Sequence, residues 1–480
     1  MNRQILHLFA LITVLFGLLV VFTSRWTVFE QEDLAAEPSN RRELLESLRV
    51  PRGDILAADG SVIARSTASG KGENKIYSRS YPQGALFAHP VGYSFEDQQV
   101  GLEKSRNDAL TGAKNEFVSL FEELVGHERE GDDVRTNLDP QAQRVALEAL
   151  GSQTGSVVAL EPSTGRVRVM ASAPTFDPND WEDRSGELNQ DPGRPLVNRA
   201  VQDRYPPGST MKVVTAAAAL DSGKYTPESI VSGSSPKTIG GTALSNCCAE
   251  GSGDYGPLSL TEALTNSVNT VWAEVGEELG RATMLDYMDK FGFLSDPPLD
   301  IPHGQMIESG VVMKGNKLAD EDDGFDVGRV AIGQGGEEGQ ALATPLQMAM
   351  VAAAVGNDGV LMRPRLTARV VGKDGRVRDT IDPSQEGRVI KTESADQLQA
   401  MMESVVESGT ATTAQIPGVQ VAGKTGTAER GDGTNNAWFI SFAPADDPDV
   451  AIAVVIENTS GQGGQVAAPI AKRVLEVLLG

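Results

Sequence analysis

The chain has 480 residues, with 42 Lys and Arg against 66 Asp and Glu and a formal net charge of −24 at pH 7. That length allows more than one buried core, so a large domain with a smaller companion is expected, while the acidic balance leaves no basic stripe for a phosphate backbone and argues against nucleic acid as a partner. The only cysteines, Cys247 and Cys248, are adjacent, so no spaced Cys/His set exists to hold zinc, and neither a metal nor a cofactor is expected.

Residues Ile5 to Phe22 form an apolar run broken only by His7, Thr13 and Gly17, long enough with its flanks to cross most of a bilayer. The following Thr23-Ser24-Arg25-Trp26 lacks a small-x-small cleavage site, so residues 1–24 read as a retained single-pass anchor rather than a cleaved signal. Orientation is weakly signalled, with Arg3 on one side and Arg25 on the other, and the body is expected outside the cytoplasm. Residues 25 to about 50 are polar and charged and read as a juxtamembrane stalk, with structure beginning near Pro51. Arg52 to Ile63 predicts a hairpin turning at Asp59-Gly60, and Gly101-Leu102-Glu103 precedes a helical stretch to about Val125.

Gly155 to Leu160 and Val167 to Ser172 flank a Pro/Gly turn and predict two strands. Thr210 to Leu220 is Ala-rich with too few polar positions for a wet face, so a helix buried on most sides is expected there, followed by a second helix over Ser259 to Leu279. Val419 to Ala422, Ala437 to Ala443 and Val450 to Ile456 predict neighbouring strands, and Val466 to Leu479 a closing helix. The pattern is α/β mixed with strands at both ends.

Three short strings carry chemistry on this frame. Pro206-Pro207-Gly208 ends the preceding element, so Ser209 falls at the start of the buried helix, where free N–H groups and the positive dipole end can stabilise an oxyanion. Lys212, nearly one turn on, shares its face and can serve as base if burial and a second cation, Lys424, lower its proton affinity. Ser267-Val268-Asn269 interrupts an apolar helical region where buried polar groups need partners. Lys424-Thr425-Gly426-Thr427 follows a short strand; the lysine and threonine hydroxyls can hold a carboxylate, Gly426 lets a ligand backbone approach, and the Thr427 N–H can join that of Ser209 as an oxyanion hole.

Rival matches are weaker. Ser234-Ser235-Pro236-Lys237 also fits SxxK but lies in a Ser/Gly-rich loop with proline in the spacer, and Ser105-Arg106-Asn107 fits SxN in a charged stretch ahead of the nucleophile. Gly418 to Thr425 matches GxxxxGK[ST], yet its strand lies between the glycines and a Gly-rich loop, not a helix, follows the lysine. The four histidines, His7, His89, His127 and His303, sit in no nucleophile-elbow context, so lysine must do the work of histidine.

In this order the three strings are those of penicillin-binding proteins and serine β-lactamases. Arg52-Gly53 with Asp59 and Gly60, Thr136-Asn137-Leu138-Asp139, Asn198-Arg199-Ala200, Tyr205-Pro206-Pro207-Gly208, Gly333-Gln334-Gly335, Thr344-Pro345-Leu346-Gln347 and Ala437-Trp438-Phe439 extend the likeness. Over roughly residues 50 to 475 the chain resembles class B penicillin-binding proteins of the PbpA-like group.

That resemblance implies an α/β (α+β) transpeptidase fold over residues 136–480, a central antiparallel sheet with helices on both sides, and a small membrane-proximal pedestal domain within residues 25–135. It implies a peptidoglycan D,D-transpeptidase in which Ser209 is acylated by a stem peptide of lipid-linked or nascent glycan strands. Lys212 would be the base, Ser267 and Asn269 would relay protons and orient substrate, and Lys424 with Thr425 and Thr427 would hold its carboxylate. β-Lactams would acylate the same serine. No glycosyltransferase domain fits before residue 136, so a RodA/FtsW-type polymerase is the expected membrane partner.

Two departures stand out. Some relatives carry a cysteine in the middle of SxN bonded to an upstream cysteine, whereas here Val268 stands there; and Asn436-Ala437 precedes Trp438 where relatives commonly have tyrosine or histidine. A secreted β-lactamase would need a Glu-x-x-x-Asn loop after the second motif, and Glu187-Leu188-Asn189 comes before Ser209. A non-catalytic β-lactam sensor or scaffold is the other alternative, against which the three intact strings stand.

Overall fold

The computed structural model describes residues 3–24, 49–70, 75–95, 98–112, 130–246, 253–336, 338–430 and 433–480. The Val450–Ile456 run has no polar residue before Glu457, and all seven of its residues are buried. A strand without polar alternation needs cover on both faces, and this one lies in the middle of a sheet. Five antiparallel strands pair in the order Ala422–Glu429, Asn435–Ala443, Val450–Thr459, Gly155–Leu160, Val167–Ala173. The first hairpin of the large domain thus completes a sheet whose other strands come from the end of the chain. Helices Gly463–Leu479, Pro140–Leu150, Pro345–Val355 and Thr392–Glu407 pack against it, and Pro345–Val355 is buried at every position.

A second sheet has six strands in the order Val377–Thr380, Thr367–Val371, Asp133–Thr136, Ile55–Leu56, Val62–Ser69, Ile76–Ser80. Its hairpin turns where expected: Gly60 takes φ +86°, and Asp59 Oδ1 accepts the Ser61 N–H at 2.8 Å. Two of its strands come from residues 367–380, so the division expected at 135/136 cuts through a hydrogen-bonded sheet. Beside it Glu103 is fully buried, taking Arg79 Nε at 2.6 Å, Arg52 Nη2 at 3.0 Å and the Tyr81 hydroxyl at 3.3 Å. Asp300 fastens the junction, pairing with Arg106 at 3.0 Å and accepting the Leu366 and Thr367 N–H groups at 2.6 and 2.9 Å.

Arg3–Ser24 is one helix, long and apolar enough to cross a membrane. The expected stalk falls almost wholly outside the described residues, as do Cys247, Cys248 and most of the helix expected to reach Val125; what is described there is two short helices, Gly101–Ser105 and Asn107–Thr111. The strand expected at Val419 to Ala422 begins instead at Ala422 and runs to Glu429, carrying Lys424 to Thr427 inside the sheet. Tight packing explains why: a Cβ at Gly423 would lie 2.7 Å from the Phe439 ring, so two poor strand formers, Gly423 and Gly426, are placed where neighbours come closest. A strand running on through Gly423-Lys424-Thr425, with no helix after it, removes the phosphate-loop reading.

Candidate active site

The segment before Ser209 is gripped by backbone. Tyr205 and Ala343 exchange N–H···O bonds of 2.9 Å, and the Gly208 N–H donates to Gly333 O at 3.0 Å. Gly333 has φ +70°, and a Cβ there would lie 2.0 Å from Gly208 O, so only glycine fits. Trp438 Nε1 donates to Pro206 O at 2.9 Å and the Thr210 hydroxyl to Pro207 O at 2.7 Å. Beneath, the Tyr205 hydroxyl donates to Glu457 at 2.7 Å beside Arg199; burial first, then that carboxylate, hold the phenol far above its ordinary range.

Ser209 sits in a 3-10 turn, Gly208–Met211, that runs straight into the α-helix Lys212–Asp221. The sequence suggested an α-helix from Thr210. The tighter turn eclipses residues i and i+3, so it aligns Ser209 with Lys212 more directly than the expected geometry. Ser209 is half-buried, and Lys212 is fully buried.

The helix expected over Ser259 to Leu279 is two, Leu260–Thr265 and Asn269–Leu279. The first starts in a capping box, with the Glu262 N–H donating to Ser259 Oγ at 3.1 Å and the Ser259 N–H to Glu262 Oε2 at 2.7 Å. It ends in a Schellman motif: the Val268 N–H reaches Ala263 O at 2.9 Å and the Ser267 N–H reaches Leu264 O at 3.1 Å. Ser267 takes the left-handed position of that motif, φ +58°, which glycine usually fills. The strained turn puts Ser267 at the break and Asn269 at the head of the next helix, both aimed at one amine.

Lys212 Nζ donates to the Ser267 carbonyl and to Asn269 Oδ1, each at 2.7 Å, and lies 3.2 Å from Ser267 Oγ. Lys424 Nζ, also fully buried, donates to Ser267 Oγ at 2.9 Å and to Thr425 O at 3.1 Å. One hydroxyl therefore bridges two lysines. Lys212 Nζ thus has three oxygen partners within 3.2 Å, two of them on Ser267, and these fix where the amine sits.

The Ala422–Glu429 strand is the outer strand of the sheet. A Cβ at Gly208 would lie 2.9 Å from Thr427 O, so the Thr427 carbonyl faces the turn that carries Ser209. In a strand the N–H and C=O of one residue point to the same edge, which turns the Thr427 N–H toward that turn as well. Gly426 leaves the space its neighbours need: a Cβ would lie 2.6 Å from Pro207 O. The Thr427 hydroxyl accepts the Gly463 N–H at 3.2 Å and retains its own proton for an acceptor. Thr425 Oγ1 lies 2.6 Å from Thr410 Oγ1, a partner no local pattern marks because it joins a helix end to a strand across the fold.

The site thus brings Lys212, Ser267, Asn269 and Lys424 together in direct bonds and sets Ser209 and Thr425 to Thr427 around them. The rival strings go elsewhere. Ser234 Oγ pairs with Ser232 Oγ at 2.8 Å and Lys237 pairs with Glu274. Ser105 donates to Asp300 O at 2.8 Å at the domain junction. Glu187 lies exposed on the Trp181–Gln190 helix, bound to Arg184 at 3.1 Å, which offers no deacylating carboxylate to Ser209.

A family model described as the penicillin binding protein transpeptidase domain matches residues 155–476, and one described as the penicillin binding protein A dimerisation domain matches residues 52–134. The chain is 36% identical over 510 aligned residues to peptidoglycan D,D-transpeptidase PbpA of Mycolicibacterium smegmatis, covering 100% of this chain and 99% of that one. It superposes with a TM-score of 0.79 and 32% identity on penicillin-binding protein A of M. tuberculosis solved as a ceftriaxone acyl-enzyme complex, covering 91% of this chain and 100% of that chain. A D,D-transpeptidase domain from Eggerthella lenta superposes with a TM-score of 0.77 at 34% identity, covering 90% of this chain and 98% of that chain.

Proposed function

The chain belongs to the penicillin-binding protein transpeptidase family, and from that premise we propose how its residues carry out the reaction. It is a serine-type peptidoglycan D,D-transpeptidase that β-lactams acylate. Ser209 Oγ attacks the carbonyl of the penultimate D-alanine of a stem peptide as Lys212 Nζ takes its proton. The oxyanion that forms is held by the N–H groups of Ser209 and Thr427. The proton returns to the departing D-alanine nitrogen through Ser267, which passes its own proton on as Lys212 replaces it, while Lys424 holds the hydroxyl in place. An amine of a neighbouring strand then enters by the reverse sequence, giving up its proton as Ser209 leaves. Lys424, Thr425 and Thr427 hold the terminal carboxylate, Gly426 lets the substrate backbone lie against the strand, and Asn269 fixes the direction of Lys212.

The observation that carries this reading is the convergence of both lysines on Ser267 Oγ, at 3.2 and 2.9 Å. Labelling with fluorescent penicillin followed by mass spectrometry of the acylated peptide tests it. Ser209→Ala is expected to abolish the label and Ser234→Ala to leave it; the opposite pattern would overturn the assignment.

The proposal extends to the organisation of the chain: an anchor over residues 1–24, a stalk and pedestal over 25–135 whose sheet is completed by two strands from residues 367–380, and a transpeptidase domain over the rest of 136–480. Single-pass attachment with the catalytic domain on the extracytoplasmic side is supported by the apolar Arg3–Ser24 helix and by the location of peptidoglycan substrates. A RodA/FtsW-type polymerase as membrane partner belongs to the same proposal, since cross-linking consumes glycan strands that a polymerase has to supply.

A further inference from the structure

We propose that Asn246, outside all three strings, is a positioning residue for Asn269 and through it for Lys212. The inference rests on the catalytic reading above. The Asn269–Leu279 helix begins after Val268, whose side chain has no acceptor to cap it. Its second N–H, that of the buried Thr270, donates instead to Asn246 Oδ1 at 2.9 Å. The cap is supplied from a separate excursion of the chain, one residue past the side chain that grips Lys212 Nζ at 2.7 Å.

Asn246 is itself held in one orientation. Its Nδ2 donates to Gly233 O at 3.1 Å and to Gly253 O at 2.8 Å, and its backbone N–H donates to Ser235 Oγ at 3.0 Å. Turning the amide over would set its NH2 group against the Thr270 N–H, so the network fixes which atom faces the helix. The same excursion braces the helix twice more, through Lys237 on Glu274 and through the Gly240 N–H on Glu277 Oε1 at 2.8 Å. Residues 270, 274 and 277 share one helical face, so the excursion lies along the helix as a splint with Asn246 at its catalytic end. The discarded Ser234-to-Lys237 string belongs to this splint.

Single-turnover acylation by fluorescent penicillin on the full chain, resolved into a first-order acylation constant and an apparent dissociation constant and normalised to the titratable fraction, tests the assignment. Asn246→Ala is expected to lower the first-order constant about tenfold and to leave the dissociation constant within about twofold, because it tilts a catalytic group without touching bound ligand. Asn246→Asp, which keeps the acceptor, recovers most of that loss, and Arg184→Met, on the Trp181–Gln190 helix outside the splint, leaves both constants unchanged. If Asn246→Ala yields no titratable protein, Ser235→Ala carries the test: a smaller loss confined to the first-order constant supports the role, and unchanged constants overturn it. The inference also fails if Asn246→Ala behaves like Arg184→Met, or if aspartate does no better than alanine. Asn269→Ala separates the two levels. If it leaves acylation intact, the catalytic reading falls and takes the inference with it; if it slows acylation while Asn246→Ala does not, the inference alone falls.

Discussion

Ser267 pairs a strained backbone with a hydroxyl shared by two buried lysines, and the two properties separate in a pair of variants. Ser267→Ala and Ser267→Gly both delete the hydroxyl, but only glycine relieves the left-handed φ of +58°. A side chain held in that region costs about 1–2 kcal/mol. Glycine gives back about 0.5–1 kcal/mol of this through the entropy of its unfolded state. The net expectation is that Ser267→Gly is more stable than Ser267→Ala by about 0.5–1 kcal/mol. Chemical denaturation of the full chain followed by tryptophan emission suits the comparison, since Trp272 and Trp438 are fully buried in the folded domain. Both variants should acylate with penicillin about 10²–10⁴-fold more slowly than the parent, as a proton relay has been removed. Equal stabilities, or alanine above glycine, would refute the strain argument. A glycine variant within tenfold of the parent rate would refute the relay.

Gly426→Ala should force the strand and the Ser209 turn apart, since its Cβ would lie 2.6 Å from Pro207 O; a loss of about 1–3 kcal/mol in denaturation and of at least about tenfold in acylation rate is expected. His89 is buried with Nε2 2.9 Å from Pro195 O, and burial, reinforced by Arg199 and opposed by that carbonyl, lowers its imidazole from 6.5 to about 4. The unfolded chain therefore binds the extra proton first, so stability present above pH 6.5 is lost as pH falls toward 4; His89→Gln should remove about 2–3 kcal/mol of the difference in unfolding free energy between pH 7 and pH 4.5. Glu103→Gln removes the charge between Arg52 and Arg79 in a fully buried site and should cost about 3–5 kcal/mol, read as a lower denaturation midpoint with the penicillin-reactive fraction retained at low denaturant.

The chemistry was more legible than its scaffolding. Ser209 and Lys212 stood out because the residues after them are too apolar to be anything but buried, and burial is what gives a lysine at that spacing a reason to exist. The lysine of the third string was equally plain, but its strand was placed too early, since glycines at 423 and 426 read as a loop until the Phe439 ring and the Pro207 carbonyl are seen to need the space. The left-handed turn at Ser267 left no trace, because serine has no preference for positive φ, and what holds it there is the pair of backbone bonds to Ala263 and Leu264 together with the amines of Lys212 and Lys424. Thr410 and Asn246 act across long separations, which no periodicity reports.

The strands at residues 367–380 close the small sheet from inside the sequence of the large domain. No single cut therefore separates the two units. A shortened chain starting at residue 136 would strip most of the Asp133–Thr136 strand that pairs with Thr367–Val371, exposing backbone donors and acceptors along an unguarded edge that invites pairing between molecules. Purified fragments starting at residue 136 should consequently precipitate or self-associate even though every side chain of the candidate site is present, and a well-behaved soluble form has to keep the strands from Ile55 onward.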